Sequence, residues 1–401
     1  MNGTSTERVE WLRETVLPKI ERVLKTGQDP SKWEVKIPQG VFYACEVYFL
    51  KLTLENAKDV QLVVKLPPVL MEARMNIESD RLFSNEITFY DKLAKYFGED
   101  VPRCVFSELE DNGDAVIVME NVEKFGFYCA RMGVRLELRY VFAGVRAIAR
   151  FHGRGYTLKE RCPEDFFRDV RALKNRDFGS ELSDSLQRYV VLWTRRLVDK
   201  YLVKRLPEDP GFCEKIREIF RDYVKLIFQD VYVPREPLAV LCHGDFTKNN
   251  ILFKEADGEL KTLLIDFAQV AYCSPALDVS TFLYLSMHSK DRREFFHEVF
   301  KAYHDALFEF LVEHEVENLE IYSLKNFQED YRRHAVIGFL VTAYFLPVIK
   351  TPNPLGIGEF SKMDTEEICD LLEKDCDSSV LEGIIDLLLE IRDLGGLDHL
   401  L

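Results

Sequence analysis

The sequence predicts an α+β protein of two unequal lobes, a small β-rich N-terminal lobe and a larger, mainly helical C-terminal lobe. Three observations lead there. The chain has 401 residues, too many for one compact core. Strand-like runs gather before Glu120 in the order strand, strand, helix, strand, strand. Helical patterns dominate beyond about Val134, interrupted by a single β island. The change of character places the expected boundary between residues 1–120 and 121–401.

Taken in order, residues near Glu7 to Lys25 set Trp11, Val16, Ile20, Val23 and Leu24 close to helical spacing, with Gly27 as the expected stop. Val41 to Leu54 and Val60 to Leu66 are rich in β-branched and aromatic residues and read as strands joined by a polar turn. A helical stretch follows from about Ile77 to Phe97. Two more strands are expected around Arg103 to Ser107 and Ala115 to Met119, flanking the turn EDNGD. Helical patterns then cover about Val134 to Gln229, Pro275 to Ile349 and Asp364 to Leu394. Between the first two, Leu238 to Cys242, Ile251 to Phe253 and Leu263 to Ile265 are apolar, and Ala256-Asp257-Gly258 is a turn signal. A small hairpin set into a helical lobe is the simplest arrangement. The aromatic run Tyr331 to Ile349 reads as core before it reads as pocket lining.

Composition narrows the function classes. Hydrophobic residues make up 47% and charged residues 30%, as in ordinary globular proteins. The 68 acidic and 53 basic side chains leave a net charge of −15, which repels nucleic-acid phosphates and anionic membranes. Nine scattered cysteines without a C-x-x-C pair fit reduced thiols rather than a zinc site or disulfide framework. The N-terminus carries charges throughout, unlike a signal peptide, and no charge-free apolar stretch is long enough to span a bilayer. The expectation is a cytoplasmic protein without nucleic-acid or membrane partners, its oligomeric state open.

The β island holds the strongest chemical signal, HGDFTKNNILF (His243 to Phe253) followed by LLIDF (Leu263 to Phe267). A strand delivers His243-Gly244-Asp245 into a loop, and the loop ends on Asn250 where the hairpin starts. The second hairpin strand presents Asp266 beyond its last apolar residue. Phosphoryl transfer needs this set: one carboxylate to orient the acceptor hydroxyl and take its proton, and an amide and a second carboxylate to hold Mg²⁺ against the phosphates. Asp245 is the candidate base, and Asn250 and Asp266 the candidate metal ligands. The four fixed letters H-G-D-x-x-x-x-N arise by chance in on the order of a few chains per thousand.

These two runs, with AQVAYCSPALDVSTFLYLS after them, resemble the ecdysteroid kinase-like (CHK-type) family. That family lies within the aminoglycoside phosphotransferase and choline kinase group, which shares the two-lobed protein-kinase-like fold. The resemblance extends from about Trp33 to Pro347 and is most specific between Leu241 and Ser286. It implies ATP and Mg²⁺ as cofactors, a nucleotide-binding lobe over 1–120, and a catalytic loop and acceptor pocket in 121–401. It also implies that Lys65, in VVKLPP, contacts the ATP phosphates, with Glu86, in NEITFYDKL, as its carboxylate partner. IVMENV (Ile117 to Val122) matches the hinge, where the backbone of Glu120 and Val122 would meet the adenine edge. Asp278, in SPALDVSTF, matches a structural brace of the catalytic loop, and His243 is read as structural too.

The sequence departs from the family in places. Its phosphate-covering loop, Pro38 to Val47, has the single glycine Gly40, and Cys45 stands where relatives often have serine. Thr247 stands where many carry tryptophan. Lys248 can reach a phosphate or remain a solvated loop lysine. The resemblance implies an acceptor that is a lipophilic or moderately polar alcohol, such as an ecdysteroid or a xenobiotic conjugate. The alternatives are a cationic acceptor of the choline or aminoglycoside type and a catalytically inactive nucleotide-binding relative. Against the last, Lys65, Glu86, Asp245, Asn250 and Asp266 are all present. A protein kinase is disfavoured because no A-P-E signature follows Asp266.

Overall fold

Alternating apolar residues build the N-terminal lobe around a five-stranded antiparallel sheet in the computed structural model. The structure describes residues 5–25, 32–38, 44–54, 59–76, 78–110, 114–130, 135–174, 181–222, 226, 232–350 and 363–401. The strands are β1 (Glu34–Lys36), β2 (Glu46–Leu52), β3 (Val60–Leu66), β4 (Cys104–Leu109) and β5 (Ala115–Glu120), in the order β1-β2-β3-β5-β4. Successive side chains of a strand point to opposite faces. Tyr48, Leu50, Leu52, Leu62, Val64, Leu66, Val116 and Val118 therefore share one face, where the N-terminal helical run packs Leu12, Val16, Leu17 and Ile20 against them. Lys65 and its register partner Ile117 fall on the other face, toward the second lobe.

The N-terminal run comprises Ser5–Trp11, a π-helical turn Leu12–Val16, and Leu17–Leu24. It ends where the helical spacing predicts, at Leu24 with Lys25 as its cap. Lys25 takes the left-handed conformation (φ 54°), and its N–H closes the last turn on the Glu21 carbonyl. Gly27 itself lies outside the described residues.

The helix Ser79–Thr88 covers the cleft face of the sheet and buries nearly every residue from Leu82 to Ile87. It runs on through a π-helical turn, Phe89–Leu93. Asn85 ties it to the other lobe by a paired contact, donating from Nδ2 to the Lys174 carbonyl at 3.0 Å and accepting the Lys174 N–H at 2.7 Å.

The second lobe packs long helices around one core, with Leu138–Arg161 against Ser289–Glu313 and Ala276–Ser286 against Val336–Lys350. Tyr331, Phe339, Leu340 and Tyr344 lie in that core, as expected for the aromatic run, while Phe345 faces out. Set into this lobe are two small sheets. One is β6 (Tyr128–Cys129), β8 (Ile251–Ala256) and β9 (Glu259–Leu264); the other pairs β7 (Val240–Cys242) with β10 (Ala271–Cys273). The β8–β9 hairpin turns on Asp257-Gly258, both at positive φ (55° and 82°), as a two-residue turn between twisted strands requires. All nine cysteines carry free thiols. Among the described residues, no helix is long and apolar enough to cross a membrane.

Candidate active site

Hairpin register sets the first distance in the site. Beyond the last β8–β9 pair, Ile251 with Leu264, the Ile265 N–H still donates to the Asn250 carbonyl at 3.0 Å. The residue after Ile265 is Asp266, so two of the candidate residues emerge side by side. Asp266 itself sits at φ 69°, a left-handed conformation that aspartate tolerates better than most side chains. Its neighbour Phe267 fixes it from behind, stacking on Phe89 with ring centroids 3.8 Å apart.

The loop before the hairpin is held by a buried carboxylate. Asp278, fully buried near the start of Ala276–Ser286, accepts the His243 N–H at 2.7 Å and the Gly244 N–H at 2.9 Å. Behind it, His152 Nε2 lies 3.0 Å from Asp278, and His152 Nδ1 bonds the Tyr303 hydroxyl at 2.8 Å. Cys242 is also close, and the three hydrogen bonds that Asp278 accepts make it a brace of the loop. His243 donates from Nε2 to the Ile265 carbonyl at 2.9 Å and accepts the Asp245 N–H on Nδ1 at 3.4 Å. That network assigns a neutral imidazole, and burial pushes its pKa below the usual range. His243 is thus a strut between the two motifs.

Gly244 admits no side chain. At φ 82°, a Cβ would lie 1.9 Å from the Gln269 carbonyl oxygen. Gly244→Ala is expected to destabilise the protein by about 1–3 kcal/mol or more and to displace Asp245. A lower urea midpoint, with reduced activity, is the expected result; an unchanged midpoint would contradict this packing.

Lys65 reaches across the cleft. Its Nζ lies 2.5 Å from Glu86 Oε2 and 2.9 Å from Asp266 Oδ1. Lys65 and Glu86 are almost fully buried, whereas Asp266 keeps 39% of its side chain exposed on the cleft side. Burial alone would lower the Lys65 pKa, but the Asp266 and Glu86 carboxylates outweigh it and hold the ammonium well above its ordinary range. Burial raises Glu86 to about 7 against the pull of Lys65. Asp266 is held below the usual carboxylate range because Lys65 outweighs its desolvation.

Asp245 is half-buried and near enough to Asp266 to feel its charge. Desolvation raises its pKa to about 7, and the Asp266 charge adds to the effect. Asn250 works the other way, donating from Nδ2 to Asp245 Oδ2 and to its backbone carbonyl, each at 2.9 Å. With Nδ2 so committed, Asn250 Oδ1 and the remaining lone pairs of Asp266 are hard oxygen donors of the kind Mg²⁺ takes. The donor set fits that ion.

At the lobe junction, β5 ends on Glu120, whose N–H donates to the Arg103 carbonyl at 2.9 Å and whose carboxylate pairs with Lys124 at 2.6 Å. Glu120 therefore has its carbonyl, not its N–H, to offer a ligand. Val122 opens the 3₁₀ turn Val122–Phe125, so its N–H has no partner within that turn. Gly40 lies outside the described residues. Cys45 is placed near Lys65 and Asp266, its thiol pushed up to about 12 by burial. Asn85, His152, Tyr303 and Gln269 also shape the site. Each acts through a partner distant in the chain, and no local motif marks it.

The model of the ecdysteroid kinase-like family matches residues 39–315. No curated protein matches the chain. Among solved structures, the GDP complex of wild-type aminoglycoside 2'-phosphotransferase-IIIa is similar at 14% identity, with 94% of this chain and 99% of that chain covered and a TM-score of 0.44. Plasmodium vivax ethanolamine kinase is similar at 12% identity, 95% and 91% coverage and a TM-score of 0.45. A microcompartment-associated aminopropanol kinase gives 12%, 95% and 99%, and 0.43. The family match spans both the Lys65–Glu86 pair and the HGD and IDF motifs, well over half of the chain, and this protein belongs to the ecdysteroid kinase-like family.

Proposed function

We propose that the protein transfers the γ-phosphoryl group of ATP to a hydroxyl of a lipophilic or moderately polar alcohol, ecdysteroid-like or a xenobiotic conjugate. One observation carries the reading. Lys65, drawn from a strand, holds Glu86 on a helix at 2.5 Å and Asp266 at a hairpin end at 2.9 Å, and Asp266 emerges beside Asn250, whose amide binds Asp245 at 2.9 Å. Lys65, kept oriented by Glu86, offsets the phosphate charge. The Glu120 carbonyl and Val122 N–H are suited to the adenine edge. Asn250 and Asp266 would hold Mg²⁺, which when bound neutralises charge on the phosphate oxygens. Asp245 orients the acceptor hydroxyl and takes its proton as the oxygen bonds to the γ-phosphorus. The bond from that phosphorus to the bridging oxygen breaks, and ADP leaves with the electron pair.

The Asp245 pKa near 7 sets a pH dependence. Below it the carboxyl is protonated and accepts no proton, so kcat/KM should rise with pH through about 7 and then level. A bound divalent cation favours the carboxylate, so the limb in kcat should lie at lower pH than that in kcat/KM. A flat profile from pH 5 to 8 would contradict the assignment.

Acceptor class is tested by mass spectrometry on a mixed panel incubated with Mg·ATP. Polyhydroxylated lipophiles and their conjugates should gain a phosphoryl group, while choline, ethanolamine and aminoglycosides gain little or none. Phosphorylation confined to the cationic acceptors would overturn the acceptor class and leave the kinase reading standing.

A further inference from the structure

The helix Ser79–Thr88 lies between the two lobes, and its contacts show which lobe sets its position. Phe83, Ile87 and Phe89 pack into the core of the second lobe, apart from the core on the outer face of the sheet. Arg81, Asn85 and Phe89 follow one another at a spacing of four and so share one stripe of the helix. Each grips a different part of the second lobe. Arg81 donates from Nη2 to Gln269 Oε1 at 3.1 Å. Asn85 joins Lys174 through both ends of its amide, and Phe89 stacks on Phe267. Phe267 and Gln269 follow closely on Asp266, so two of the three grips sit against the metal-ligand end of the hairpin.

The three contacts differ in what they fix. A ring stack tolerates sliding, and Arg81 reaches Gln269 on a long, flexible stem. Asn85 makes two directional bonds to the backbone of a single residue, at 3.0 and 2.7 Å, which together hold the helix against both translation and rotation. The next residue is Glu86, whose Oε2 holds Lys65 Nζ at 2.5 Å. Asn85 and Glu86 are each only 1% exposed, so solvent does not take over either contact if the helix shifts. A displacement of about 1 Å is enough to spoil a charge-assisted bond of this kind.

We propose that Asn85 is a positioning residue for the phosphate-binding lysine: it registers the helix on the second lobe, and Glu86 passes that register to Lys65 on the sheet. The Lys65–Glu86 pair thereby couples the two lobes. The inference rests on the phosphoryl-transfer reading above, in which Lys65 meets the ATP phosphates, and adds the residue that sets where the lysine stands.

Calorimetry with Mg²⁺ and a non-hydrolysable ATP analogue tests it on the wild type, Asn85→Ala, Glu86→Gln and the double variant. Adenosine, which lacks the phosphates, is titrated alongside. Asn85→Ala should weaken the analogue about ten-fold and leave adenosine within about two-fold of the wild type. Because Asn85 acts through Glu86, adding Asn85→Ala to Glu86→Gln should cost no more than about two-fold further. Asn85→Ala also opens a gap beside the Lys174 backbone. Asn85→Ser, which lets water fill that gap but gives up the fixed register, is the companion variant and should show the same pattern. Full addition of the two single effects would overturn the proposal. So would a parallel loss of adenosine binding, which would mark a role in stability alone. A wild type that binds neither ligand would overturn the phosphoryl-transfer reading itself. Binding of the analogue equally well by the wild type, Asn85→Ala and Asn85→Ser would overturn this inference and leave that reading standing.

Discussion

Asp266→Ala is expected to abolish phosphoryl transfer and to weaken Mg·ATP binding while leaving the fold intact. The carboxylate is at once a candidate metal ligand and one of two anions holding Lys65, at 2.9 Å. Its loss removes an oxygen donor from the cation and leaves Lys65 paired with Glu86 alone, at 2.5 Å. Both changes act where the phosphates would lie. The fold should survive because Asp266 is partly exposed, whereas the packing around it comes from Phe267 against Phe89 and His243. Alanine at φ 69° adds some strain, so Asp266→Asn, which tolerates that backbone, is the companion variant. Calorimetric titration of ATP with and without Mg²⁺ checks the result. Equal affinity and activity in variant and wild type would contradict the assignment.

Asp245→Asn should separate chemistry from binding. The amide keeps the size of the side chain but cannot take the acceptor's proton. Loss of a positioned base costs about 10²–10⁴ in rate, or roughly 3–5 kcal/mol of barrier. The fall belongs in kcat, because Asp245 contributes no expected metal ligand. The variant should also lose the rise of kcat/KM through pH 7, a change that general destabilisation would not produce. Normal turnover on a confirmed acceptor would refute the role.

The motifs were legible because one short hairpin carries them. Asn250 and Asp266 are 16 residues apart in sequence, and the register that joins them follows from two apolar runs and an Asp-Gly turn. Lys65 and Glu86 required only that a strand and the following helix share the cleft face of the sheet. What the sequence hid is mostly long-range. His152 reaches Asp278 across 126 residues and Asn85 reaches Lys174 across 89, and nothing near either residue announces its partner. A histidine inside an amphipathic helix looks the same whether it fills core or braces a loop. The strands β1, β6 and β10 have two or three residues each, too few to display alternation. Lys25 ends the first helix in a left-handed conformation usually left to glycine, a cap that its residue type does not announce.

On the proposed mechanism, this cleft moves a phosphoryl group from ATP to an alcohol through Asp245. Incubating the wild type and Asp245→Asn with Mg²⁺, ATP labelled with ¹⁸O in its γ-phosphoryl group and the acceptor panel tests it most directly, with mass spectrometry of the alcohols. A phosphate ester carrying the label is expected in the wild type, with a deep loss of that ester in the variant. Labelled inorganic phosphate with every alcohol unchanged, or equal ester formation by both proteins, would contradict it.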